Sequence, residues 1–361
     1  MRVLVLNPGS STLKGSVVEA GAERLAATEE AWPAGRGDAE GVVARVLERL
    51  PQDAVDAVGY RVVHGAATYR RPAVVDDRLL DRVDELDALA PLHNRRAAEV
   101  MRAGRGRFAG VPQVACFDTA FHAALPEVAW RYALPRAWVD RWQIRRYGFH
   151  GLSVQWAARR AAQLLDRPAE QLAIVVAHLG SGSSVTAVLA GRSVDTTMGF
   201  TPFEGLVMGT RSGSVDPGIL LHLLREGIDV EALAAGLAES SGLLGLSGTS
   251  PGVRELEGLA VAGDATAALA LEIYAARAAA GIAAMATALP RLDGLVFTGG
   301  IGEHSHLIRS SVARRLAVLR APEPGERGEG DAVIASGPPA LLVVAAREDR
   351  QIADLVADLL V

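Results

Sequence analysis

Near its N-terminus the chain runs RVLVLN (2–7) into Pro-Gly-Ser-Ser and then into the alternating stretch TLKGSVVEA (12–20). An apolar run, a tight turn and an alternating run read as a pair of strands. The same arrangement returns at AIVVAHLGSGSSVTAVLAGRSV (173–194), with Gly182-Ser183-Ser184 corresponding to Gly9-Ser10-Ser11. An internal echo of this kind predicts two related halves. Each offers backbone N–H groups and hydroxyls at a hairpin turn, and two such turns facing one another across a cleft would cradle a polyphosphate.

Between and after the hairpins, strand and helix patterns alternate. Helices are predicted at 38–50, 77–87, 93–105 and 153–165, with a buried strand in VPQVACFDTAF (111–121). Ala- and Leu-rich helical stretches follow at 216–239 and 257–289. LDGLVFTGGIGE (292–303) reads as a strand entering a glycine turn, APEPGERGEG (321–330) as a surface loop, and the chain finishes on strand ALLVVAA and helix 348–360. This is the α/β class.

Bulk properties exclude several functions. A net charge of −5, with the basic residues scattered among 42 acidic ones, gives no positive field for nucleic acid. The first positive charge is followed by only four apolar residues before Asn7, too few for a leader, and no apolar run reads as membrane-spanning. One cysteine, Cys116, leaves no internal disulfide and fits a reducing compartment, so the cytoplasm is expected. Of 37 lysines and arginines only Lys14 is a lysine, and it stands just after the first turn. A compact ammonium charge there suits a phosphate.

The remaining polar and glycine clusters are NPGSSTLK (7–14), RVVHG (61–65), LAPLHN (89–94), FDTAFH (117–122), RRYGFHG (145–151), HLGSGSS (178–184), MGFTPFEGLVMGTRSG (198–213), SGLLG (241–245) and FTGGIGE (297–303). They sit at the ends of apolar runs, where open α/β sheets carry ligand sites. The histidines among them lack zinc-type spacing. Taken in order, these runs resemble the acetate kinase family along nearly the whole chain.

That resemblance implies two actin/hexokinase-like (ribonuclease H-like) domains with a cleft between them, at 1–147 and 148–347, with helix 348–361 packing back on the first. It also implies a homodimer that moves a phosphoryl group between ATP and acetate with Mg2+ or Mn2+. Carried over residue by residue, Asn7 and Glu348 match metal-associated positions, and Ser10, Thr12 and Lys14 the first phosphate loop. Arg61 matches the carboxylate-binding arginine, and His93, Asp118, His150 and Arg211 match active-site polar groups. Val63, Leu92, Phe149 and Pro202 match the pocket for the acetate methyl. His178, Leu179, Gly180, Ser181 and Gly182, then Gly252, Val253 and Arg254, then Gly300, Ile301, Gly302, Glu303 and His304 match nucleotide-binding segments.

Departures from the family cluster on the nucleotide side. Ser181 replaces an asparagine, Gly252 an aspartate and His304 the asparagine of GIGEN, and the chain is shorter between Lys14 and Arg61. A polar group lost from such a pocket weakens base discrimination by about 1–3 kcal/mol. The phosphoryl donor is thus open to several nucleotides or pyrophosphate, the acid to propionate. Because Asn7, Lys14, Arg61, Asp118, His150, Arg211 and Glu348 are all kept, a non-catalytic nucleotide-binding protein is disfavoured.

Overall fold

A computed structural model describes residues 1–9, 11–22, 24–33, 38–51, 55–86, 93–326 and 330–361. It divides into two compact units. The first contains residues 1–123, 149–156 and 347–361, the second 124–148 and 157–346.

The sheet of the first unit consists of β1 (Arg2–Pro8), β2 (Thr12–Glu19), β3 (Arg24–Ala31), β4 (Ala57–Val62), β5 (Ala73–Val74) and β6 (Gln113–Phe117), in the order β3-β2-β1-β4-β6-β5. β1, β4 and β6 run parallel, and β2, β3 and β5 are antiparallel to their neighbours. β1 is apolar from Val3 to Leu6 because both faces are covered there. Leu4 and Leu6 pack with Val42, Val46, Ala97 and Met101 of helices Ala39–Glu48 and Asn94–Arg107. Val3 and Val5 pack with Ile352, Ala353 and Val356 of helix Glu348–Leu360. Gly59 lets that helix approach: a Cβ there would lie 2.6 Å from Ile352 Cγ2.

The second unit repeats the plan. Its strands are β7 (Ala173–Leu179), β8 (Ser183–Leu189), β9 (Arg192–Thr196), β10 (Gly294–Thr298), β11 (Ala332–Ala335) and β12 (Ala340–Val343). Their order, β9-β8-β7-β10-β12-β11, matches the first sheet strand for strand, with β7, β10 and β12 parallel and the other three antiparallel. The duplicated, actin-like plan is therefore present. The turn correspondence, however, shifts by two residues. Pro8 pairs with Leu13 and Leu179 with Ser183, so the counterpart of the four positions 9–12 is the shorter turn Gly180–Gly182, and Ser183 and Ser184 already belong to β8.

Other expectations are adjusted by local chemistry. The chain does not change unit at 147/148. Residues 124–148 join the second unit because Arg146 Nη1 donates to the carbonyls of Thr196, Thr197 and Met198, at 3.0–3.2 Å, and Nη2 to Glu204 at 3.0 Å. The 216–239 stretch breaks at Gly227, whose φ is 96°, into Pro217–Arg225 and Val230–Glu239. The 257–289 stretch becomes Val253–Val261 and Ala265–Ala286, with Asp264 capping the second by accepting from Thr266 N and Ala267 N. After β10 the glycine turn is a short helix, Gly299–His304.

One helix, Ala265–Ala286, does reach membrane-spanning length and apolarity, contrary to the reading of the sequence. Its alanine-rich face, with Leu271, Tyr274, Ile282 and Met285, is buried in the core of the second unit. Residues 327–329 of the expected 321–330 loop lie outside the described residues.

Candidate active site

Three adjacent parallel strands of the first unit end on polar residues that the sequence singled out. Asn7 stands near the end of β1, Arg61 near the end of β4, and Asp118 follows β6. Glu348 opens the C-terminal helix. Residues 57 and 341 apart in sequence thereby form one hydrogen-bonded cluster. Arg61 Nη2 donates to Asp118 Oδ2 at 2.6 Å, Arg61 Nε to Oδ1 and Oδ2 at 3.2 and 3.1 Å, and Arg61 Nη1 to Asn7 Oδ1 at 3.2 Å. Asn7 Nδ2 donates to Glu348 Oε2 at 2.9 Å, and Arg61 Nε lies 3.7 Å from the same oxygen.

Two carboxylates thus share one guanidinium in a dry place, since Asp118 is 1% exposed. Burial pushes the Asp118 carboxyl up to about 6, with Glu348 adding to the rise and Arg61 opposing it. Burial works against the Arg61 charge, but the two carboxylates more than offset it and raise its pKa. Activity is accordingly expected to climb on an acid limb centred near pH 6, as Asp118 ionises and grips Arg61. A pH profile of kcat should show this limb, and the residual activity of Asp118→Asn should lack it.

His150 is fixed by its neighbours. It adopts φ 59°, an unusual left-handed backbone for a side chain of its size, and its carbonyl accepts from Val154 N at the start of helix Gly151–Leu164. On one side Gly151 N donates to the Asp118 carbonyl at 2.9 Å. On the other, the Phe149 carbonyl accepts from His122 Nε2 at 3.0 Å. Burial pushes the His122 imidazole down to about 4, which keeps it neutral. His122 and Gly151 were legible only as members of motifs, not as the pair that brackets His150.

Around this cluster, Lys14 is exposed on β2 opposite Asn7, and Thr12 is half-buried at the end of the turn. Ser10 and Leu92 lie outside the described residues. His93 is the half-buried N-cap of helix Asn94–Arg107. Val63 and Phe149 are buried, and the His64 ring meets Phe149 edge-on at 5.3 Å. Asn94, not singled out from sequence, holds His64 by accepting from its N–H and donating to its carbonyl, both at 3.0 Å.

The second unit gathers the other predicted residues. Arg211 Nη1 donates to the Pro202 carbonyl at 2.9 Å. The loop before it is tied to the second hairpin by Gly209 N donating to the Ser181 carbonyl at 3.0 Å, and to the SGLLG segment by Leu243 N donating to Met208 O at 2.8 Å. Gly299 packs so closely that a Cβ would lie 2.6 Å from the Leu179 carbonyl, and Gly180 lies beside Gly300. Ser181, Arg254 and His304 are exposed, Gly252 is half-buried, and His178, Gly180, Ile301 and Glu303 are half-buried around Gly182 and Gly302. Leu179 and Val253 point into the core, so only their backbone is available to a ligand. Glu303 Oε1 accepts from Ala346 N at 2.9 Å.

With this geometry in place, comparison with known proteins is informative. Residues 37–353 match the model of the Acetokinase family. The chain is 45% identical, over 98% of its length and 96% of the relative's, to an acetate kinase of Deinococcus radiodurans. It superposes on the crystal structure of Porphyromonas gingivalis acetate kinase with a TM-score of 0.88 at 32% identity, covering 100% of both chains. A propionate kinase from Francisella tularensis gives 0.85 at 34%, covering 98% of each. The chain belongs to the acetokinase family.

Proposed function

We propose that this chain catalyses the reversible transfer of the γ-phosphoryl group of ATP to acetate, giving acetyl phosphate and ADP by direct in-line displacement. As a member of its family it is a phosphotransferase with a carboxyl acceptor. The observation that carries the reading is the hydrogen-bonded Asn7–Arg61–Asp118–Glu348 cluster, built around the buried Asp118 carboxylate where three parallel strands meet the start of the C-terminal helix.

A carboxylate acceptor is ionised at neutral pH and needs no general base. What opposes the reaction is an anion approaching a polyanion, so fixed cations and donors set the rate. Arg61 is assigned to the acceptor carboxylate and Arg211 to the transferring phosphoryl group, with His93 and His150 donating to its oxygens. Asp118 orients Arg61 and abstracts no proton. Thr12, Lys14 and the turn amides face donor phosphates, as do the 178–182, 252–254 and 300–304 segments with the rest of the nucleotide. Among the described residues no three His, Cys, Asp or Glu groups converge as a metal site. Asn7 and Glu348 offer instead one amide and one carboxylate, the sparse donor set that suits magnesium arriving with its waters and the donor phosphates. Held there by Asn7 and Glu348, such an ion would supply neutralisation of polyphosphate charge.

Trapping the acyl phosphate as its hydroxamate tests this, with acetate or propionate against ATP, GTP or pyrophosphate. Acetyl phosphate formed from ATP, and reduced about a hundredfold in kcat by Arg211→Ala, is expected. Product from pyrophosphate alone would replace ATP as donor, and preference for propionate would replace acetate. No product with any pair would leave a non-catalytic nucleotide-binding protein.

A homodimer is also proposed. Helices Pro217–Arg225 and Val230–Glu239 bury none of their residues within the chain, yet carry Ile219, Leu221, Leu224 and Val230 exposed by 50, 54, 38 and 66%. An apolar patch of that kind calls for a partner, and a second copy is the one assigned. Light scattering should give twice 37.8 kDa, and Leu221→Glu should yield the monomer. The cytoplasm is the proposed compartment, in keeping with the buried free thiol of Cys116.

A further inference from the structure

The phosphate turn of the first unit is held from outside by a side chain that no motif contains. Arg96, third in helix Asn94–Arg107, donates through Nη1 to the Gly9 carbonyl at 3.0 Å and through Nη2 to the Trp32 carbonyl. Its guanidinium lies 4.0 Å above the centre of the Trp32 ring. Trp32 is 1% exposed, and its own N–H donates to the Ser11 carbonyl at 2.7 Å. One planar cation therefore spans both ends of a bracket whose middle is the β1–β2 turn. Inside that bracket Gly9 N donates to Thr12 O at 2.8 Å. Stacking on an indole while donating in two directions is a task for a guanidinium and not for an ammonium.

The same helix start serves the acceptor side. His93 occupies its N-cap position, and Asn94 grips the backbone of His64, three residues beyond Arg61. Two residues further on, Arg96 grips the turn leading to Thr12 and Lys14. A single rigid helical turn thus sets the spacing between the RVVHG loop and the Gly-Ser turn. Such spacing decides whether acceptor and donor meet in line.

We infer that Arg96 is a positioning residue that fixes the Gly9–Thr12 turn for the donor phosphates, with Trp32 as its platform. This rests on the phosphoryl-transfer reading above. Arg96 touches no reacting group itself; it acts through the turn.

The test compares Arg96→Met, which keeps the stem over Trp32 and removes both donors, with Arg96→Lys. Hydrogen exchange of the amides of Gly9, Ser11, Thr12 and Trp32 is measured in the apo chain, together with steady-state kinetics and the unfolding midpoint. In Arg96→Met these amides are expected to exchange about tenfold faster. The KM for magnesium-ATP should rise about tenfold, while the KM for acetate and the midpoint stay near wild type. Arg96→Lys should recover part of both effects. Wild-type exchange at the turn, or a parallel rise in both KM values with a lowered midpoint, would overturn the inference. A wild-type chain that phosphorylates no acid would sink the functional reading instead, and the exchange measurement, which needs no activity, would still decide whether Arg96 fixes the turn.

Discussion

Replacing Arg61 with alanine is expected to lower kcat/KM for acetate by at least about a thousandfold and to destabilise the chain by about 3–5 kcal/mol, the cost of leaving a buried charge without its partner. Two carboxylates, Asp118 and Glu348, would lose the one guanidinium between them, and Asp118 has no water to turn to. The loss should depend on pH. Asp118 already has a folded-state pKa raised above its ordinary value, so its ionisation works against folding. That penalty is absent below about pH 4, where the group is protonated in both states, and is fully present above about pH 6. Removing Arg61 takes away the opposing attraction, so the difference in unfolding free energy between variant and wild type should be larger at pH 8 than at pH 5. Denaturant titrations at the two values check this. Coupling Arg61→Met with Asp118→Asn should return most of the stability and none of the activity, because the fully buried charge of Asp118 is gone and only the partly exposed Glu348 lacks its cation, while the acceptor still has none. Recovery of activity in the double variant would remove Arg61 from the mechanism.

The parts of the fold that were legible in the sequence are those fixed by local pattern. The hairpin at 2–20 shows as an apolar and an alternating run around Pro-Gly-Ser-Ser, and its echo at 173–194 announced a duplication that the two sheets carry strand for strand. The register of the echo was not legible, since Gly-Ser-Ser strings look alike whether they form the turn or, as with Ser183 and Ser184, the strand beyond it. Helix breaks at Gly227 and at Gly263-Asp264 were blurred by alanine- and leucine-rich surroundings that satisfy a helical period on either side. The candidate site was legible as motifs, but not as geometry. Nothing local says that residue 61 touches residue 118: that follows from β4 and β6 being parallel neighbours. For the same reason the sequence offers no partner for His122, whereas the fold sets its Nε2 against the Phe149 carbonyl. Residues 124–148 joined the second unit through Arg146 binding three successive carbonyls, a role that a charged residue in a motif does not advertise.

Gly151→Ala should be a severely damaging change for one added methyl group. The added methyl would stand 2.1 Å from the Asp118 carbonyl oxygen and 3.0 Å from Phe121 Cβ, and the first of these is backbone that cannot rotate away. Either the hydrogen bond from Gly151 N to Asp118 O breaks or the turn carrying His150 moves outward. Overpacking of this severity costs about 1–3 kcal/mol or more. The kinetic effect is expected to be larger, because Asp118 and His150, the two residues that this contact holds together, are both assigned to the phosphoryl transfer proposed above. Asp118 would lose its register with Arg61, and His150, already held at φ 59°, would leave its position. A displacement of about 1 Å in such groups lowers kcat by about a hundredfold. Circular dichroism melts and acyl phosphate formation, measured on the same preparation, separate the two losses. A folded Gly151→Ala chain with wild-type kcat would mean that the Asp118–Gly151 contact does not set the position of His150. A folded chain with kcat down a hundredfold and the acid limb moved away from pH 6 would place both residues under the control of that single contact.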